Sequence, residues 1–169
     1  DAGGDTGIYV IECGSVTISA TSFMGFFNDA INTEECGAVC ITNNIIVGCD
    51  SIGIDVEAVS AIISNNTLAE NRSAMLVSAI TATVANNIVI THKLITARLD
   101  GGVGDIQVMT LNELYFVNND IYKYDILLEA PMDGTPGWGF PVGYYIYLES
   151  DTNLEVVSGN IFENPQLEW

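Results

Sequence analysis

Positive charge is scarce in this chain of 169 residues: four Lys plus Arg stand against 22 Asp plus Glu, a formal charge of -18 at pH 7. A surface of that sign repels nucleic acid and anionic lipid headgroups, so neither is expected as a partner. A single histidine, and four cysteines with no CxxC pair among them, argue against a Cys/His zinc site. No apolar run approaches the roughly 20 residues that a spanning helix needs, so no membrane insertion is expected. The opening DAGGDTG has neither the basic nor the apolar segment of a signal peptide. GxSxG, HExxH, a P-loop and a complete GxGxxG are all missing, which removes the commonest sequence routes to hydrolase, metalloprotease and nucleotide chemistry.

Apolar residues, by contrast, are plentiful. A hydrophobic content of 49% with mean hydropathy +0.33 leaves little room for disorder and supplies one sizeable core, so residues 1–169 are expected to form a single domain. The cysteines, Cys13, Cys36, Cys40 and Cys49, all fall in the first third. Their even number and the acidic composition fit an oxidising setting, so a secreted or cell-surface location is expected. Two N-x-S/T sequons stand at Asn65 and Asn71.

The strongest signal is internal repetition, which is worth seeking before any other pattern. With Ile41 as anchor, one phrase recurs at Ile18, Ile63, Val84, Phe116 and Val157, in steps of 23, 22, 21, 32 and 41 residues. Five residues after each anchor stands another apolar residue: Phe23, Ile46, Leu68, Val89, Ile121 and Phe162. Three residues after it stand Thr21, Asn44, Asn66, Asn87, Asn119 and Asn160, and two before it Val16, Val39, Ala61, Ala82, Leu114 and the exception Glu155. Short β-branched runs at this period, with asparagine at the bends, fit one strand-bend-strand coil repeated along an axis. Rungs of such a coil lie ~4.8 Å apart, so asparagines in one position stack, bonding along the column while their backbone takes the left-handed bend. A leucine-rich repeat has a similar period, but residues 7–93 contain only Leu68 and Leu76.

GIYV (7–10), ITNNII (41–46), IGIDV (52–56), ISNNTL (63–68) and VANNIVI (84–90) resemble the right-handed parallel β-helix superfamily of pectate-lyase-like proteins. GNIFENPQL (159–167) is similar to the last coil of secreted β-helix repeat proteins. The resemblance implies an all-β, right-handed parallel β-helix (β-solenoid). About six to seven coils of roughly 22 residues are expected, regular over 7–93 and loop-inserted over 94–169. For activity it implies little, since this superfamily includes polysaccharide lyases, glycosidases, esterases, tailspikes and adhesins. Its polygalacturonase motifs (NTD, paired Asp, GHG, RIK) and pectate-lyase motifs (WiDH, RxPxxR) are absent here.

Candidate sites follow from what the repeat aligns and where it breaks. Glu12, Glu35 and Glu57 stand six residues before the first three anchors and are expected to stack, either fully solvated or sharing a cation. Calcium is the one cofactor the sequence suggests. Cys13 and Cys36 also align, at a separation suited either to a disulfide between adjacent coils or to a stacked pair of thiols. Cys40 and Cys49 either pair or fill core. The one basic cluster, THKLITARLD (91–100), offers Lys93 or Arg98 as a lyase base with Asp100 and Asp105 near a metal, or a solvated coil edge. The calcium nonapeptide GGxGxDxUx is not met by GGVGDI, because Asp105 arrives one place early.

The Pro/Gly excursion at 129–143 and the strand after it gather Trp138, Phe140, Tyr144 and Tyr147, which either bind a neutral glycan or pack the insertion onto the last coil. A solenoid end exposes apolar cross-section and unpaired backbone, and no helical cap is legible before Ile8. Three alternatives follow: a preceding segment, a plug made by Phe26 and Phe27, or docking of the end onto another molecule. The expected function is therefore a non-catalytic extracellular β-solenoid, a structural or surface module that associates with like subunits, neighbouring domains or glycans. The alternatives are a calcium-assisted polysaccharide lyase and an excised domain of a larger secreted protein.

Overall fold

A computed structural model of the chain describes residues 6–90, 106–122, 126–129 and 156–159. Among them there are thirteen strands and no helix. The first rung comprises β1 (Ile8–Ile11), β2 (Ser15–Ser19) and β3 (Ser22–Met24). In the second rung the first two legs merge into β4 (Ile31–Thr42), followed by β5 (Ile45–Val47). The same pair recurs as β6 (Ile52–Ser64) and β7 (Thr67–Ala69), then as β8 (Ser73–Ala85) and β9 (Ile88–Ile90). Beyond them lie β10 (Ile106–Val117), β11 (Asp120–Tyr122), β12 (Ile126–Glu129) and β13 (Val156–Ser158).

All pairings are parallel and fall into two sheets, one of eight strands and one of five ordered β11-β9-β7-β5-β3. The anchors of the repeat are register partners throughout: Ile18 with Ile41, Ile41 with Ile63, Ile63 with Val84, Val84 with Phe116, Phe116 with Val157. Burial explains why they repeat. Ile41 and Ile63 are completely buried, as are Ile46 and Leu68 in the other sheet, so each rung lays the same apolar side chains on those of its neighbour.

About four turns at the spacing of 21 to 23 residues are present, from Ile8 to Ile90, fewer than the six to seven coils expected for the chain. The expectation treated each aligned anchor as the closure of a full coil. Phe116 and Val157 do mark strands in register, but residues 91–105 and 130–155 lie outside the described residues.

The bends carry a second correction. The left-handed backbone belongs to the residue before each stacked asparagine: Asn43, Asn65, Asn86 and Asn118 have φ of 58°, 57°, 56° and 53°. The pair divides the work. The first residue turns the chain and faces solvent; the second turns inward, where a carboxamide is needed. Asparagine tolerates the left-handed region better than other side chains that carry a Cβ, which accounts for the doublet. Ala20 occupies the same bend in the first rung at φ 53° without that help.

Candidate functional site

Among the described residues five of the six buried polar ones are asparagines, so the polar chemistry of that interior is concentrated in one residue type. Asn44, Asn66, Asn87 and Asn119 form a continuous column. The Asn66 side chain accepts at Oδ1 from the Asn44 backbone N–H (3.0 Å) and from Asn44 Nδ2 (3.0 Å), and donates from Nδ2 to the Ile41 carbonyl (2.9 Å) and to Asn87 Oδ1 (3.1 Å). Asn87 repeats the pattern against Asn119 and the Ile63 carbonyl, each at 3.0 Å. At the other end the Thr21 N–H donates to Asn44 Oδ1 (3.0 Å), and the Thr21 hydroxyl bonds the Ser19 carbonyl of its own rung. The column thus satisfies bend amides and carbonyls that would otherwise be buried without partners.

Asn71, which the repeat did not single out, does the same at another corner. Its Oδ1 accepts from the Cys49 N–H (3.0 Å) and its Nδ2 donates to the Ile46 carbonyl (3.1 Å). That role occurs at one described rung only, so no column of asparagines betrays it. Its sequon is consequently turned inward, whereas the Asn65 side chain is exposed.

Glu12 and Glu35 occupy successive left-handed bends, at φ 53° and 52°, and both are exposed. Glu57 does not continue the stack in kind. The β4–β6 register shifts between Thr33 and Cys36, so Glu34 and Glu35 together oppose the single residue Glu57, which lies within continuous strand and pairs with Ser78. Among the described residues no cluster of three or more His, Cys, Asp or Glu is close enough to hold a metal ion.

What the bulge gathers is an acidic face. Asp55, half-buried on β6, has its pKa pushed up to about 6, first by burial and then by the charges of Asp29, Glu34 and Glu57. Its register partner Asn32 donates Nδ2 to Asp29 Oδ2 (3.1 Å), and Asn32 Oδ1 is buried with no donor. Tyr9 donates its hydroxyl to Glu34 Oε2 (2.8 Å), and that bond holds its pKa above the ordinary tyrosine range.

A raised carboxyl pKa means that the native state binds more protons than the unfolded chain between the two pKa values. Stability from Asp55 is therefore fully present below about pH 4 and lost as pH rises through about 6. Halved for solvent screening, the loss is about 1.5 kcal/mol. Asp55→Asn, which also supplies an amide donor beside Asn32, is expected to be more stable than the parent at pH 7.5 and to lose that margin at pH 4. Urea denaturation at the two pH values checks this; an equal margin at both contradicts it.

Two of the four cysteines face each other. Cys13 Sγ lies 2.7 Å from Cys36 Sγ across the first two rungs, and the Cys36 thiol also faces the Glu34 carbonyl at 3.4 Å. Cys49 is buried core and Cys40 stands in the column between Thr17 and Ile62; none of the four is disulfide-bonded in this structure.

The first rung differs from those below it. β1 and β2 pair with β4, and β3 with β5, and none has a described strand on its other side. Its inward residues Ile8, Val10, Cys13 and Val16 pack against the core only partly buried, while Ile31, Cys36 and Val39 of the next rung are at most 2% exposed. Of the two residues expected to plug this end, Phe26 packs on Phe23 with ring centroids 6.3 Å apart, and Phe27 is 62% exposed. The end is covered in part.

Lys93, Arg98, Asp100, Trp138, Phe140, Tyr144, Tyr147 and Asn160 lie outside the described residues. A family model described as right handed beta helix region matches residues 2–121 of the chain. No curated protein and no solved structure matches it.

Proposed function

The chain belongs to the right-handed beta helix family, and on that premise we propose that it is a non-catalytic structural module of the cell exterior that joins a like molecule through its first-rung edge. The observation that carries this reading is the edge itself. Among the described strands β1, β2 and β3 have partners on one side only, beside half-buried Ile8, Val10 and Val16 and the exposed side chains of Tyr9, Ile11 and Met24. Such an edge is a template for another β-strand surface. Elsewhere among the described residues the buried asparagine side chains of Asn44, Asn66, Asn71 and Asn87 hold rungs together. The lyase and glycan readings rest on Lys93, Arg98 and Asp100 and on the aromatic group from Trp138 to Tyr147, outside that region.

Like molecules of charge -18 repel one another, so association is expected to strengthen with salt. The screening length falls from ~30 Å at 0.01 M to ~8 Å at 0.15 M. Sedimentation velocity at both ionic strengths is expected to show dimers or larger assemblies growing with salt. Gly14→Ala, which places a methyl on the open edge, is expected to reduce them. Monomers at every salt and protein concentration contradict self-association. Production of unsaturated uronate from any of a panel of uronate polymers would contradict the non-catalytic reading.

A further inference from the structure

We infer that Cys13 and Cys36 are a redox site, forming a disulfide that staples the edge rung to the rung beneath it. Three independent features converge there. The sequence ECGxV occurs twice, as Glu12-Cys13-Gly14-Ser15-Val16 and Glu35-Cys36-Gly37-Ala38-Val39, and pairs rung on rung through Ser15 with Ala38 and Val16 with Val39. In each copy the glutamate is the left-handed residue, so both chains turn in the same way immediately before the cysteine. Gly37, whose N–H donates to the Cys13 carbonyl at 2.8 Å, lets the two backbones meet closely just after it. Parallel neighbours in register lie ~4.8 Å apart, within the span of about 4.4–6.8 Å between the Cα atoms of disulfides.

The sulfur atoms confirm that the side chains point at each other. Their 2.7 Å separation is well inside the ~3.5–4.0 Å at which non-bonded heavy atoms rest, so covalent closure needs a small displacement. The site is asymmetric in access. Cys13 is half-buried on the edge rung and Cys36 is 2% exposed beneath it, so exchange begins at Cys13. The Cys13 thiolate attacks one sulfur of oxidised glutathione and releases one reduced glutathione. The Cys36 thiolate then attacks the Cys13 sulfur of the mixed disulfide and expels the second. Two thiols are oxidised, one glutathione disulfide is reduced to two thiols, and the two protons end on the released glutathiones. The hydrogen bond that the Cys13 thiol donates to Cys36, burial and the neighbouring sulfur all push the Cys13 thiol up, so the reaction is expected to accelerate as pH rises above neutrality.

The staple acts on the edge rung of the described solenoid. The first rung has described strands on one side only, and the step of 23 residues from Cys13 to Cys36 makes one turn of the coil. Closing such a loop is expected to raise the thermal midpoint by roughly 5–10 °C.

The test equilibrates the full chain with oxidised glutathione, alkylates the remaining thiols under denaturing conditions, and maps peptides by mass spectrometry. The expected result is a cross-linked peptide joining Cys13 to Cys36 with Cys40 and Cys49 alkylated, and a thermal midpoint that falls by the stated amount on reduction. Cys13→Ser is expected to abolish both the cross-link and the redox dependence of melting, and Cys40→Ser to preserve both. Alkylation of Cys13 and Cys36 after equilibration, or a cross-link of any other pairing, overturns the inference.

Discussion

Asn66→Ala is expected to lower the unfolding free energy by about 3–5 kcal/mol, although the side chain touches no ligand and carries no charge. The loss comes from groups left behind. Without the carboxamide, the Asn44 N–H loses the acceptor it finds at 3.0 Å and the Ile41 carbonyl loses the donor it finds at 2.9 Å, in a bend where Asn66 is 1% exposed. Each buried backbone group without a partner costs about 1–3 kcal/mol, and the vacated volume adds to this. The preceding residue behaves oppositely. Asn65 is exposed and chosen for its backbone, so Asn65→Gly is expected to be nearly neutral and Asn65→Ala to cost about 1 kcal/mol. Equilibrium urea denaturation of the three variants checks the ranking; equal costs at Asn65 and Asn66 would contradict the division of labour within the doublet.

A second pair of near-identical positions is expected to diverge as widely. Gly37→Ala is expected to destabilise by about 2–3 kcal/mol, whereas Gly14→Ala should change stability by no more than about 0.5 kcal/mol. Both glycines follow a cysteine in the same ECGxV phrase. A Cβ built on Gly37 would press on the carbonyl oxygen of Gly14, which is backbone and tied by the Ala38 N–H at 3.0 Å, so the rungs must part. A Cβ built on Gly14 would meet nothing within 4 Å, because Gly14 sits on the edge rung. Gly37→Ala is also expected to slow oxidation of the cysteine pair, since it separates the rungs beside the sulfurs. Thermal melts and thiol titration of the two variants check both effects; a Gly14→Ala variant as unstable as Gly37→Ala contradicts this account of the edge.

The fold was legible because burial repeats. Ile18, Ile41, Ile63 and Val84 occupy one inward position on successive rungs, so selection for packing leaves the same residue type at a fixed interval, and the interval gives the register. The asparagine column was legible for the same reason. Where a position serves one rung only, the signal vanishes. Asn71 closes a corner that is filled elsewhere by Cys49, and Asp55 matters only through Asp29, Glu34 and Glu57, which lie apart in sequence and converge through the bulge. The same bulge explains why counting six residues back from the anchor places Glu57 beside Glu12 and Glu35 but not in their conformation. Linear spacing carries no sign that two residues of β4 oppose one of β6. The doublet shows a further limit: two identical letters, Asn65 and Asn66, hold opposite orientations, and only the backbone distinguishes them.

The repeated asparagines are architectural, with their side-chain amides locked between rungs. Hydrogen exchange of side-chain amide protons, resolved by NMR, measures this directly. Strong protection is expected of the Nδ2 protons of Asn44, Asn66 and Asn87, each bonded to a carbonyl of a neighbouring rung at 3.0, 2.9 and 3.0 Å, and rapid exchange at exposed Asn43, Asn65 and Asn86. Rapid exchange at all six would contradict it.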